Sequence, residues 1–175
     1  NICFIEWLKT SIKPDKFWVG IKKHVVYDFK SQLLWQNNPD NEIKIPMIDE
    51  SIFREYDIRG IVPSQVNEAS IRSISHAIAK KCNDENINEL ALGRDGRLSG
   101  EKILNLLSKE LQSIGINVVN VGIVTSPLLY FAAKQLPSKS GIMITGSHNP
   151  KNYNGFKMVI NDSPISGLEI LSLLS

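Results

Sequence analysis

The chain is poor in the features that mark several protein classes. It has only two cysteines among 175 residues. Cys3 and Cys82 lie too far apart to form a metal-ligand motif or to imply a disulfide framework, and they read as small buried thiols in a reducing compartment. No apolar run approaches the roughly 20 residues that span a bilayer, so no membrane partner is expected. Charge is nearly balanced, with 20 Lys and Arg against 18 Asp and Glu. That excess is too small to draw the chain to a phosphate backbone, and nucleic acid is not an expected partner. There is no G-x-S-x-G elbow, which disfavours a hydrolase built on a strained serine. No signal peptide is evident. The chain starts at Asn1 rather than at a methionine, so that absence carries little weight. The expected location is cytoplasmic.

What is present is ordinary for a globular domain: 42% hydrophobic and 22% charged residues. The length allows one domain with a sizeable core. Residues 1–45 read as an N-terminal extension or linker of unclear role. They intersperse Phe4, Trp7, Phe17, Trp18, Tyr27, Phe29 and Trp35 with lysines and asparagines. Their mixed charges argue against a nucleic-acid surface. Gln36 to Glu42 has the composition of a turn. The folded domain is expected over 46–175.

Within it, Ile71, Ile74 and Ile78 recur at helical spacing and predict a helix from Asn67 to Lys81, with His76 facing outward. Asn83 to Asn88 reads as a polar connector. Leu90 to Gly93 is a short buried strand. Ser99 is placed to cap a helix from Gly100 to Ile114, with Ile103, Leu104, Leu107, Leu111 and Ile114 as its buried stripe and Gly115 as its stop. Asn117 to Val121 is the next strand. Thr125 or Ser126 caps a further helix that buries Leu128, Leu129, Phe131, Ala132 and Leu136. Gly141 to Thr145 is another strand, and Phe156 to Ile160 a last one, antiparallel to its predecessor. Alternating strands and helices point to right-handed crossovers. The expected fold is a three-layer α/β/α domain with a mixed, mainly parallel four-stranded sheet.

The most specific stretch is Gly141 to Val159, GIMITGSHNPKNYNGFKMV. A buried strand stops at Thr145-Gly146-Ser147-His148-Asn149-Pro150, presenting reactive side chains from a rigid base. Ser147 is the candidate nucleophile or phosphoryl carrier. His148 is the candidate proton-handling or phosphate-binding group. A bare Ser-His pair makes no triad, because triad geometry comes from residues far apart in sequence. A polar loop without chemistry remains the alternative reading of this segment alone. Arg59 reads as a surface guanidinium, as one paired with Asp57, or as a planar fork suited to dianionic oxygens. Arg94 reads as structural support, and Arg97 is left open between loop bracing and substrate contact.

The run Gly146 to Pro150 followed by Tyr153-Asn154-Gly155-Phe156-Lys157 resembles the phosphoserine signature of the α-D-phosphohexomutase family. Three more blocks match in order: Phe53 to Gly60 (FREYDIRG), Gly93 to Gly100 (GRDGRLSG) and Gly122 to Pro127 (GIVTSP). The last carries Ser126 where the family usually has a second threonine. The tyrosine-containing block is more similar to the mannose/glucose type than to the phosphoglucosamine type.

The resemblance implies that Ser147 carries a phosphate, donates it to a phosphosugar and recovers another from the bisphosphorylated intermediate. It implies catalytic roles for Ser147, His148, Lys157 and Arg59, and substrate contacts for Tyr56, Arg59, His148 and Asn149. It implies Mg2+ held by the Ser147 phosphate and by aspartates that have no match here. The family's metal loop, sugar loop and C-terminal domain are likewise unmatched. The implied partners are a phosphosugar and the remaining domains of the same enzyme, and the piece alone is expected to have little or no mutase activity. A non-catalytic phosphate-binding or assembly domain is the competing expectation.

Overall fold

The computed structural model describes residues 48–174. The expected extension 1–45, with Cys3, lies outside them. After a 3-10 turn at Glu50–Ile52 the elements are β1 (Ile58–Ile61), α1 (Glu68–Asp84), β2 (Glu89–Arg94), α2 (Gly100–Ser113), β3 (Asn117–Ile123), α3 (Ser126–Gln135), β4 (Gly141–Ile144), β5 (Tyr153–Ile160), β6 (Ser163–Ile165) and α4 (Gly167–Ser172).

The layers are α/β/α, as expected, but the sheet is neither four-stranded nor mainly parallel. Among the described residues it has six strands in the order β1-β5-β4-β2-β3, with β6 also on β5. Only β2/β3 and β2/β4 run parallel. The pairs β1/β5, β4/β5 and β5/β6 are antiparallel. The two extra strands left little trace in the sequence. β1, IRGI, breaks its apolar pattern with Arg59 and Gly60 and reads as irregular. β6, SPI, is short and contains Pro164, which a strand tolerates at an edge. β1 and β6 share one edge of β5, which is long enough at Tyr153–Ile160 to serve both.

The two faces of the sheet follow from period-2 alternation along β2 and β4. Leu90, Leu92, Ile142 and Ile144 join the main core with Ile71, Ile74 and Ile78 of α1 and with Leu104, Leu107 and Leu111 of α2. Ala91 and Met143 point the other way, onto Leu129 and Ala133 of α3. A capping box starts α1: Asn67 accepts from the Ser70 amide, and the Ser70 hydroxyl accepts from the Asn67 amide. The helix runs past the expected Lys81 into the polar connector, where Lys81 pairs with Glu85 at 3.2 Å. His76 is exposed, as its spacing predicts.

Two helix expectations need correction. Ser99 stands at the N-cap of α2 as expected but makes no side-chain cap, its hydroxyl accepting from Asn154 Nδ2 at 2.9 Å instead, and Thr125 at the N-cap of α3 likewise makes no side-chain cap. On α3 only Leu129 and Ala133 are buried, while Leu128 and Phe131 are 49% and 62% exposed. The expected stripe was too wide because α3 meets the sheet along one narrow line, and nothing among the described residues covers its outer side. No helix among the described residues is long and apolar enough to cross a membrane.

Candidate active site

β2 and β4 are parallel neighbours, with Arg94 opposite Ile144. Their C-terminal ends therefore release the Asp95 and Thr145 loops side by side, the usual position for ligand sites in open sheets. Asp95 ties the two loops together. Its Oδ2 accepts from Thr145 Oγ1 at 2.8 Å and from the Gly146 amide at 3.3 Å. Its Oδ1 accepts from the Arg97 amide at 3.0 Å. The Thr145 hydroxyl oxygen in turn accepts from the Ser147 amide at 2.9 Å. Thr145 and Gly146 are buried, whereas Ser147 and His148 are exposed at the tip. Ser147 has φ +52°, a left-handed conformation that non-glycine residues seldom adopt. Its Oγ lies 3.4 Å from His148 Nδ1.

Arg97 reaches across from the β2 loop to the carbonyls of Ser147, Asn149, Pro150 and Tyr153. Arg94 stays on its own side, with Nη1 donating to the Asp95 carbonyl at 3.1 Å and Nη2 lying 3.6 Å from Glu101. Arg94 is thus structural support, and the residue left open, Arg97, braces the loop.

A second cluster forms where β1 pairs with β5. Asp57 is buried and pairs with both Arg59 and Lys157. Arg59 Nη1 donates to Asn149 Oδ1 at 2.8 Å, which connects this cluster to the serine loop. Arg59 Nε is buried without a hydrogen-bond partner among the described residues. Arg59 is thus paired with Asp57, and its guanidinium is buried rather than on the surface. From α3, the Tyr130 phenol is held above its ordinary pKa by burial and, secondarily, by the negative charge of Asp57.

The structure thus joins Arg59 and Lys157 through Asp57, links Asn149 to them through Arg59, and sets Ser147 beside His148. Tyr56 is not drawn in. It is 75% exposed and makes no hydrogen bond among the described residues. Sequence reasoning missed Asp57 and Asp95 as organising carboxylates. The closeness of Asp95 to Arg97, and of Asp57 to Arg59, was the available signal, since an i, i+2 acid–base pair in a turn or strand end can share one set of hydrogen bonds.

A divalent cation needs several oxygen ligands. No group of three His, Cys, Asp or Glu suited to a metal occurs among the described residues. The two carboxylates of the site are already engaged, Asp95 by Thr145 and Arg97, Asp57 by Arg59 and Lys157. These residues do not make a magnesium site by themselves, and Ser147, once phosphorylated, would supply a single donor group.

A family model described as phosphoglucomutase/phosphomannomutase, alpha/beta/alpha domain I, matches residues 50–169. A phosphoglucomutase of Neisseria gonorrhoeae is 48% identical over 128 residues, covering 73% of this chain and 28% of that protein. A phosphomannomutase/phosphoglucomutase of Pseudomonas aeruginosa is 42% identical over 130 residues, again 28% of its length. A crystal structure of a phosphoglucomutase/phosphomannomutase family protein from Burkholderia thailandensis superposes with a TM-score of 0.67 at 40% identity, over 73% of this chain and 30% of that one. The chain therefore spans under a third of the length of these relatives.

Proposed function

The chain belongs to the phosphoglucomutase/phosphomannomutase family, matched at domain I, and from that premise we propose that residues 46–175 are the phosphoserine-bearing domain of an enzyme that interconverts hexose 1-phosphate and hexose 6-phosphate. The observation that carries the proposal is Ser147 itself. It is an exposed hydroxyl on a left-handed residue, fixed at the end of a buried strand beside an imidazole.

In the first half-reaction the phosphoryl group on Ser147 Oγ passes to the free hydroxyl of a hexose 1-phosphate. The P–Oγ bond breaks, a bond to the sugar oxygen forms, the sugar hydroxyl gives up its proton, and the departing Ser147 Oγ gains one. In the second, after the bisphosphorylated sugar has reoriented, Ser147 Oγ takes the other phosphoryl group and loses its own proton. The departing sugar oxygen gains one. His148 and Lys157 are the groups placed to handle these protons, His148 at the serine and Lys157 on the adjoining strand. Arg59 supplies positive charge for the phosphate, and Asn149 orients Arg59 and the sugar. Tyr56, exposed before β1, adds a substrate contact.

A Mg2+ ion, with the Ser147 phosphate as one ligand, would supply charge to offset the phosphoryl group. Its carboxylate ligands would come from outside the described residues, as would the sugar-reading and distal phosphate contacts. The domain accordingly acts with the remaining domains of a longer polypeptide, in the cytoplasm where phosphosugars are metabolised, and residues 1–45 are an extension to it. The test is turnover of glucose 1-phosphate and mannose 1-phosphate by the full-length polypeptide. Turnover is expected there and not in the isolated chain. Robust mutase activity in the isolated chain, or none in the full-length protein, contradicts the proposal.

A further inference from the structure

We propose that Arg97 is a positioning residue that holds Ser147 in its left-handed conformation and so fixes the direction in which the serine oxygen is presented. The catalytic consequence rests on the phosphoserine reading above; the clamp itself does not.

A guanidinium carries five N–H donors. In Arg97 every one has an acceptor. Nε donates to Asp95 Oδ2 at 3.2 Å. Nη1 donates to the carbonyls of Pro150 at 2.5 Å and Tyr153 at 3.0 Å. Nη2 donates to the carbonyls of Ser147 at 3.0 Å and Asn149 at 2.7 Å. Four of the acceptors are main-chain oxygens of the serine loop, so the side chain grips the loop's backbone. No donor remains for a sugar phosphate. A lysine has three donors on a point charge and cannot span the same carbonyls.

The loop makes room for this fork at Gly146. A Cβ there would fall 2.4 Å from Arg97 Cζ and 2.5 Å from Nε. Glycine at this position lets the guanidinium lie against the backbone.

The left-handed form is unfavourable for a non-glycine residue and persists only where its surroundings impose it. Both peptide groups that flank Ser147 are held. Its amide donates to Thr145 Oγ1, and its carbonyl accepts from Arg97 Nη2. Both holders are rooted in the same Asp95 carboxylate. With φ and ψ pinned in this way, the direction of Cβ is set, and Oγ keeps only its χ1 freedom.

The experiment uses the full-length polypeptide as wild type, Arg97→Lys, Gly146→Ala and the double variant. Hydrogen exchange of the amides in 147–153 reads the clamp. Steady-state kinetics with glucose 1-phosphate read its consequence. Arg97→Lys is expected to speed exchange in the loop by about tenfold or more. It is expected to lower kcat about a hundredfold, the effect of a misplaced nucleophile, while KM stays within about threefold because no Arg97 donor faces substrate.

Gly146→Ala changes no charge and should reproduce the fall in kcat. The double variant should be no worse than the poorer single one. A rise in KM with kcat held, unchanged kcat, or unchanged loop exchange overturns the proposal. If Arg97→Lys fails to fold, Gly146→Ala decides by the same criteria. If wild type shows no turnover, the mutase reading fails, and the exchange data still decide the clamp.

Discussion

Asp57 Oδ2 lies 3.2 Å from Lys157 Nζ, and the same oxygen pairs with Arg59 Nη2. The contact is a product of register. β1 and β5 run antiparallel with Ile58 opposite Phe156, so Asp57 stands one step further on, opposite Lys157. One buried carboxylate thereby sets the position of two cations that lie almost a hundred residues apart in sequence.

Asp57→Asn should therefore be costly. It leaves the buried Arg59 guanidinium without its counter-charge and frees the Lys157 ammonium. Removing one partner of a buried ion pair costs about 3–5 kcal/mol. Urea denaturation of this chain should show the midpoint falling accordingly. A change under about 0.5 kcal/mol, the level of an ordinary surface substitution, would remove Asp57 from the account.

Gly155 sits where β1 crosses β5 most closely. A Cβ there would fall 1.9 Å from the Ile58 carbonyl oxygen, a main-chain atom that cannot rotate away. Gly155→Ala should break the β1–β5 pairing and cost more than about 4 kcal/mol. Gly96 is the contrasting case, since a Cβ at that position meets nothing within 4 Å. Gly96→Ala should leave the unfolding midpoint within about 0.5 kcal/mol of wild type. Equal effects from the two substitutions would contradict the close approach of the strands.

Much of this was legible in the sequence, and the failures have physical causes. Ile71, Ile74 and Ile78, and likewise Leu104, Leu107 and Leu111, are buried on the helix faces their spacing indicates. Ser147 and His148 stand together at the end of a buried strand. The strand at Ile58–Ile61 was not legible, because its pairing depends on β5, a partner distant in sequence. Nor was the exposure of Leu128 and Phe131, since periodicity gives a helix's apolar side but not how much of it a neighbour covers. The roles of Asp95 and Asp57 escaped for a related reason. Each carboxylate acts through groups on a strand or loop that the sheet brings to it.

Cys82 gives a pH prediction. The thiol is fully buried on α1, and burial pushes its pKa from an ordinary 9.0 up to about 12. The folded state therefore favours the neutral thiol. This contribution to stability is fully present below about pH 9 and is lost as the pH rises towards about 12. Urea midpoints of this chain should fall across that window, and Cys82→Ala should flatten the fall. Cys82 should also resist alkylation at pH 8 in the folded protein and react once it unfolds. Prompt alkylation in the absence of denaturant would contradict its burial.

The most direct test concerns phosphate on Ser147. The full-length polypeptide is incubated with a hexose 1,6-bisphosphate, and the peptide containing residue 147 is examined by mass spectrometry before and after a chase with hexose 1-phosphate. The mass of one phosphate should appear on Ser147, leave during the chase with formation of sugar bisphosphate, and be absent from Ser147→Ala. A mutase that turns over normally with its phosphate on another residue, or with none, would contradict the account.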